Sequence, residues 1–177
     1  MSSGDTATTA DATLGFVGDV MLGRGVDRAH AEDPPGAVWG DTLPRLDALD
    51  GLFLNLECCL STRGERTPDR GYYFRADPAW AVPALERAGT AWAGLANNHV
   101  LDFGEVALGD TLDVLDDAGI DTSGAGPTRR EAFEPAVVPV GGLEVAVVAV
   151  TDRAPAYAAG AVAPGTAYAP MAGEPLT

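Results

Sequence analysis

The sequence predicts an α/β domain in which a parallel sheet carries helices on its faces. Three observations support this class: short β-rich apolar runs recur along the chain, segments with leucines at helical spacing lie between them, and the two kinds alternate. The chain has 177 residues and is 46% apolar, which suits one domain, or part of a larger one, with its own core.

The first elements follow from local patterns. Residues 13–17 (TLGFV) and 52–56 (LFLNL) are predicted strands that run into polar residues. Between them, residues 41–49 carry leucines three apart, which predicts a helix packed on the sheet. Residues 78–88 and 105–118 predict two further helices, because the first has proline near its start and a glycine follows each.

The later elements are mostly strands. Residues 91–96 predict a buried strand, and residues 120–122 a short one. Residues 136–140 and 143–150 are β-branched runs separated by two glycines, which predicts a hairpin. The sheet is therefore expected to contain antiparallel as well as parallel pairing.

The two ends of the chain differ from its middle. Residues 1–12 are small and polar, with neither a basic nor an apolar segment, which predicts a disordered lead rather than a signal peptide. Residues 13–177 form the predicted domain, and residues 151–177, rich in Ala, Gly and Pro, are expected to be a flexible or incomplete end. The longest apolar stretch, at residues 143–150, is too short to span a bilayer, so we expect no membrane segment and a cytoplasmic location.

The charge balance excludes one class of partner. The chain has 26 acidic and 11 basic residues, all of the latter arginine, for a formal charge of −15. Nucleic acids and anionic lipid surfaces bind basic faces, so neither is an expected partner. A halophilic source explains both the acidity and the absence of lysine; an acidic protein from a GC-rich organism is the alternative.

Two adjacent cysteines, Cys58 and Cys59, are the only ones in the chain. This arrangement is not that of a disulfide scaffold or of a C-x-x-C metal site, so we expect buried, reduced thiols.

Polar residues follow three predicted strands. They include Asp19, Glu57, Asn98 and His99. Because the carboxyl ends of strands meet at one edge of an open α/β sheet, we expect these side chains to converge. Two carboxylates, an amide oxygen and an imidazole predict a site for one or two divalent cations.

Each of these residues has a simpler interpretation. Asp19 could cap the turn that follows it, Glu57 could be a solvated carboxylate, and Asn97 and Asn98 could be turn residues. For His99 a functional role is favoured, because it follows a predicted buried strand and Asp102 is within reach to orient its ring. The other histidine, His30, lies in a charged stretch and is predicted to be on the surface.

Four segments in order carry a resemblance: GDVMLGR, NLE, FRADP and NNHVLDFG. Together they resemble the CapA family of poly-γ-glutamate capsule synthesis proteins, whose domain is similar to the calcineurin-like metallophosphoesterases. The resemblance runs from about residue 14 to residue 151. It implies a metallophosphoesterase-like, four-layer α/β/β/α sandwich, here incomplete at its C-terminus.

The resemblance also implies residue roles. Asp19, Glu57 and Asn98 would bind metal ions (Mn, Fe, Zn or Mg), and His99 would face the phosphoryl group, oriented by Asp102. The substrate-binding residues of this hypothesis are Arg24, whose guanidinium would meet an anionic group, and Asn97.

The chain departs from this pattern at two points. Met21 stands where a phosphoesterase of this type has a histidine, and a thioether is a poor ligand for a hard cation. No histidine follows His99, whereas such a site is completed by later histidines. We therefore expect a fragment of a longer chain; a truncated relative that has lost half its site is the alternative.

The predicted function is the synthesis or processing of a poly-γ-glutamate-like or other anionic capsule polymer at a metallophosphatase-type site. If the longer chain supplies the missing histidines, the protein is a metal-dependent hydrolase. One alternative is a phosphoesterase acting on a small phosphate ester, and another is a non-catalytic module that binds or assembles the polymer. Envelope association is implied by the resemblance alone.

Overall fold

The structure is a computed structural model that describes residues 11–171. Most of the predicted lead, and residues 172–177 of the predicted flexible end, lie outside the described residues. The strands are β1 (Leu14–Val20), β2 (Gly51–Leu56), β3 (Cys59–Leu60), β4 (Arg75–Ala76), β5 (Thr90–Gly94), β6 (Asp121–Ser123), β7 (Ala125–Gly126), β8 (Ala136–Val140), β9 (Leu143–Val147) and β10 (Gly165–Thr166). The α-helices are α1 (Gly25–His30), α2 (Leu43–Leu46), α3 (Pro78–Arg87), α4 (Gly104–Asp117) and α5 (Arg129–Ala132), and 3₁₀ helices occupy Ala37–Thr42 and Pro155–Tyr157.

A four-stranded parallel sheet forms the centre of the fold, in the order β1-β2-β5-β6. Asp19 of β1 lies opposite Asn55 of β2, and Asn55 lies opposite Gly94 of β5. The carboxyl ends of three strands therefore meet at one edge, and the prediction of an α/β fold with a parallel sheet is confirmed.

Alternate residues of β2 face the two sides of the sheet, as the two-residue period of a strand requires. Leu52, Leu54 and Leu56 belong to the main core, which contains the buried faces of α3 and α4. Phe53 belongs to a second cluster with Ala136, Val138 and Val140 of β8. The helices thus cover one face of the sheet, and the hairpin formed by β8 and β9 packs on the other.

The two longest helices match their predictions within one residue at each end. Asp77 caps α3 by accepting a hydrogen bond from the backbone N–H of Ala79 at 2.9 Å. Helix α4 buries the four residues Ala107, Leu108, Thr111 and Leu115 and exposes acidic ones.

The predicted helix over residues 41–49 is wrong in extent. A 3₁₀ helix ends at Thr42 after a break at Gly40, where φ is 50°, and α2 itself has only 4 residues. After it, the backbone N–H of Ala48 and that of Leu49 donate to carbonyls three residues back, so the chain tightens into 3₁₀ geometry before β2. Leu46 and Leu49 still pack on the core, as the leucine spacing predicts.

The hairpin prediction is confirmed. β8 and β9 pair antiparallel, and the two glycines between them have positive φ values of 57° and 79°, which two-residue hairpin turns require. β9 ends at Val147, three residues earlier than predicted. Farther along, β10 pairs with β7, so part of the segment expected to be flexible carries ladder hydrogen bonds.

Both cysteines are free and buried, as predicted. Burial raises the pKa of the Cys58 thiol to about 12 and also raises that of Cys59. No helix of the part that the structure describes is both long and apolar enough to cross a membrane.

Asp121→Asn is expected to stabilise the protein at neutral pH. Burial, and then the charge of Asp116, raise the pKa of the Asp121 carboxyl. The folded state therefore holds this proton more tightly than the unfolded state, and Asp121 costs stability above its ordinary pKa of 3.8. Thermal unfolding should show a higher Tm for the variant at pH 7 and no gain at about pH 3. An equal gain at both values would contradict the electrostatic cause.

Candidate functional site

A chain of side chains connects three segments at the carboxyl edge of the sheet. The Asn55 side-chain amide donates to Asp19 at 2.8 Å, and that of Asn97 donates to the Asn55 side-chain oxygen at 3.1 Å. These residues belong to β1, β2 and the turn after β5. The predicted convergence of strand ends therefore occurs, with Asn55 as a member that the sequence analysis did not single out.

Asn97 organises the turn that carries the histidine. Its side-chain nitrogen also donates to the Leu56 carbonyl at 2.9 Å, while its oxygen accepts from the backbone N–H groups of His99 and Val100 at 3.0 and 3.1 Å. The residue is buried and its amide is fully used. The substrate-binding role of Asn97 stays a prediction; in the structure its side chain bonds to Asn55, Leu56, His99 and Val100 and so positions the turn.

His99 is held by a buried carboxylate. Asp102 Oδ2 lies 2.7 Å from His99 Nδ1 and also accepts the backbone N–H of Phe74 at 2.8 Å. The Asp102 side chain has no solvent exposure. A carboxylate beside Nδ1 places the ring proton on that atom, which leaves Nε2 as the atom able to accept or pass on a proton. The Phe74 ring stacks on the imidazole with centroids 3.9 Å apart, so both partners fix the ring plane.

Arg70 is a third partner of this cluster, and no pattern in the sequence indicates it. One guanidinium nitrogen lies 3.3 Å from Asp102 Oδ1, and the same nitrogen donates to the Asn98 carbonyl. Arg70 comes from an irregular loop far from Asp102 in sequence, where no periodic pattern marks it. It supplies the positive charge that a buried carboxylate needs.

Glu57 lies in the same electrostatic neighbourhood. Burial raises the pKa of its carboxyl; the charge of Asp19 raises it further, and His99 opposes that rise. Its backbone N–H donates to the Val20 carbonyl at 3.0 Å, which fixes the chain just after β2. Two carboxylates that repel each other here would both be stabilised by a cation.

The donors suit a hard cation, but they do not complete a site for one. Asp19, Glu57 and Asn98 supply the oxygen atoms that Mg²⁺ or Mn²⁺ prefers. Within residues 11–171, however, no three side chains of His, Cys, Asp or Glu lie close enough together to hold a metal ion. Met21 adds nothing, because its sulfur accepts the backbone N–H of Gly23 at 3.1 Å.

Arg24 lies beside this cluster, and its backbone has a positive φ of 58°. Its guanidinium carbon is 5.1 Å from the Tyr72 ring centre and 5.9 Å from that of Phe74. It is exposed, as a residue that meets an anionic group must be. His30 is at the far end of α1 and pairs with Asp33, outside the site.

These features define an α/β domain with a polar site at the carboxyl edge of a parallel sheet. Residues 13–174 match the family described as bacterial capsule synthesis protein PGA_cap. The chain therefore belongs to this capsule synthesis family.

Curated relatives carry related names. A "Probable polyglutamine synthesis accessory protein" of Mycobacterium tuberculosis (strain H37Rv) is 34% identical over 70% of this chain and 41% of its own length. The capsule biosynthesis protein CapA of Bacillus anthracis is 29% identical over 85% of this chain and 36% of its own. The PGA biosynthesis protein CapA of Bacillus subtilis is 26% identical over 77% and 36%. The chain thus spans about two fifths of the length of these relatives.

Proposed function

We propose that this chain acts in the synthesis of a bacterial capsule polymer with an anionic, poly-γ-glutamate-like backbone, and that the cluster around His99 is its working site. The names of the relatives support the polymer class. The observation that carries the proposal is the His99–Asp102 pair, because a buried carboxylate on Nδ1 prepares Nε2 to exchange a proton with a bound group.

In this proposal each residue of the site has a separate role. Asn97 and Arg70 hold the two polar atoms of the peptide that precedes His99, and Asp102 fixes its ring. His99 Nε2 takes or gives the proton, and Arg24 binds a negatively charged oxygen of the polymer or its precursor. Asp19, Glu57 and Asn98 are oxygen donors for a divalent cation (Mn, Fe, Zn or Mg), which, when bound with further ligands, would stabilise an anionic oxygen.

The finer fold assignment belongs to the same proposal. A metallophosphoesterase-like four-layer sandwich has a second sheet on the face of the first that is free of helices. The β8–β9 hairpin packs on that face through Phe53, which supports the assignment.

A non-catalytic role is the second candidate, and one observation favours it. Across the described ranges no three side chains of His, Cys, Asp or Glu form a metal-binding cluster, so the domain could bind or assemble the polymer without hydrolysing a bond. A phosphoesterase acting on a small ester shares the site of the leading proposal and differs from it in substrate.

The chain's own histidines give a matched test. In a strain that carries the gene, His99→Gln is expected to lower cell-associated anionic polymer by at least about tenfold, since a general acid or base contributes about 10²–10⁴-fold. His30→Gln is the control, because it removes the other histidine, outside the site. Polymer yield and protein level are measured together. Unchanged polymer in the His99 variant, at normal protein level, would refute the proposed role of His99.

Hydrolysis of a generic phosphodiester with added Mn²⁺ separates the candidates. Activity in the purified chain that is lost in His99→Gln supports the enzyme. Polymer loss in cells, without hydrolysis in the purified chain, supports the binding module.

A further inference from the structure

We propose that four arginines beside the His99 cluster form a binding site for a chain of repeated carboxylates. They are Arg24, Arg28, Arg66 and Arg75, and they line a pocket of about 390 Å³ together with aromatic rings. This inference rests on the proposed function, since it names where the anionic polymer would bind.

The pocket reverses the charge of the molecule locally. The chain has a formal charge of −15 and 11 basic residues, of which 4 line this pocket. A polyanion is repelled by the rest of the surface and attracted here, because fields of opposite sign over a surface steer charged ligands. The pocket volume lies within the range of about 300–1,000 Å³ that is usual for ligand sites.

The four guanidinium groups are available to a ligand. In the part of the chain that the structure describes, none of them lies within 4.0 Å of a carboxylate oxygen, whereas Arg63, Arg70 and Arg87 each do. The carboxylate in the pocket wall, Asp27, is already used: one oxygen accepts the indole N–H of Trp80 at 2.7 Å and the backbone N–H of Asp77 at 2.9 Å.

Aromatic rings hold three of the guanidinium groups. Arg24 lies over Tyr72 and Arg66 over Tyr73, at 5.1 and 5.0 Å from the ring centres, and Arg75 lies 3.9 Å from that of Phe103. A guanidinium that packs its face on a ring keeps its N–H edge for hydrogen bonds, and that edge matches a carboxylate bidentately. One guanidinium nitrogen of Arg75 donates to the Arg63 carbonyl at 3.0 Å, and the other N–H groups remain for a ligand.

The arrangement suits several carboxylates rather than one phosphate. Arg24 precedes α1 and Arg28 lies within it, while Arg66 is in a loop and Arg75 in β4. The charges therefore come from separate segments around an open pocket. A chain with one carboxylate per unit satisfies them in succession, and Phe74 connects the pocket to the site: it lies near Arg24 and stacks on His99.

Calorimetric titration of the purified chain with a short poly-γ-glutamate oligomer tests the proposal. The variant Arg24→Gln/Arg66→Gln is expected to lose at least about tenfold in affinity, because one charge-assisted bidentate contact alone is worth about that factor. The control is Arg130→Gln/Arg153→Gln, which removes the same charge from exposed, ion-paired positions outside the pocket. Arg66→Gln alone is measured as well, because Arg24 has a strained backbone that its replacement could disturb.

The outcomes are distinct. Weaker binding in the pocket variants, with the control at the wild-type value, supports the site. Equal weakening in both double variants, no binding by the wild-type chain, or displacement of the oligomer by an equal concentration of inorganic phosphate would overturn it. Loss of polymer in His99→Gln cells together with normal oligomer binding by the arginine variants would rule out the pocket, with the binding role of Arg24, and leave the proposed role of His99 in polymer synthesis intact.

Discussion

Asp102→Ala is expected to lower the free energy of unfolding by about 3–5 kcal/mol, the usual cost of removing one partner from a buried ion pair. The substitution removes the charge partner of the Arg70 guanidinium and the acceptor of the Phe74 backbone N–H, and it frees the His99 ring. Urea denaturation followed by tryptophan fluorescence measures the loss.

Asp113→Ala is the matched control for this prediction. Asp113 is an exposed residue of α4, and its removal is expected to change the free energy of unfolding by less than about 0.5 kcal/mol. Asp102→Asn should lose less than the alanine variant, because an amide oxygen still accepts the Phe74 N–H. If Asp102→Ala is no less stable than the control, the carboxylate does not hold these segments together.

Asn97→Ala is expected to cost at least about 3 kcal/mol, since buried groups left without a hydrogen-bond partner cost about 1–3 kcal/mol each and three are left here. The Leu56 carbonyl and the backbone N–H groups of His99 and Val100 all lose the Asn97 side chain. Asn97→Asp keeps an acceptor for the two N–H groups and loses the donor, so its stability should lie between the wild type and the alanine variant.

The neighbouring asparagine provides the comparison. Within residues 11–171 the Asn98 side chain makes no hydrogen bond, and Asn98→Ala should cost less than about 1 kcal/mol. Equal stability of the two alanine variants would show that Asn97 does not organise the turn. The same denaturation measurement decides it.

Local sequence patterns predicted the parallel strands and the helices, because these elements are long enough for burial to set the spacing of their apolar residues. The leucines of α4 and the apolar run of β2 are such cases. The leucine spacing at residues 41–49 predicted too long a helix, because backbone hydrogen bonding limits the α-helix there to 4 residues. Packing on the core needs the spacing, and it tolerates several backbone geometries.

The site was predictable to the extent that it lies at strand ends. Asp19 could be found because it lies near the carboxyl end of β1, His99 because it follows the buried β5, and Asp102 because it lies three residues after the histidine. Arg70 and the four arginines of the pocket come mostly from irregular or short segments, where no periodicity indicates which way a side chain points. Tertiary packing alone brings them together.

The two buried cysteines allow local unfolding of the protein to be measured by thiol labelling. They are the only thiols in the chain, and they lie in and beside β3, next to the strand that leads to Glu57. A disulfide reagent reacts with the thiolate, which burial suppresses at both positions. The rate of labelling therefore reports how often local unfolding exposes the cysteines in and beside β3, and no probe has to be introduced. Measured beside denaturation, it shows whether the edge that carries the site opens locally or only when the whole domain unfolds.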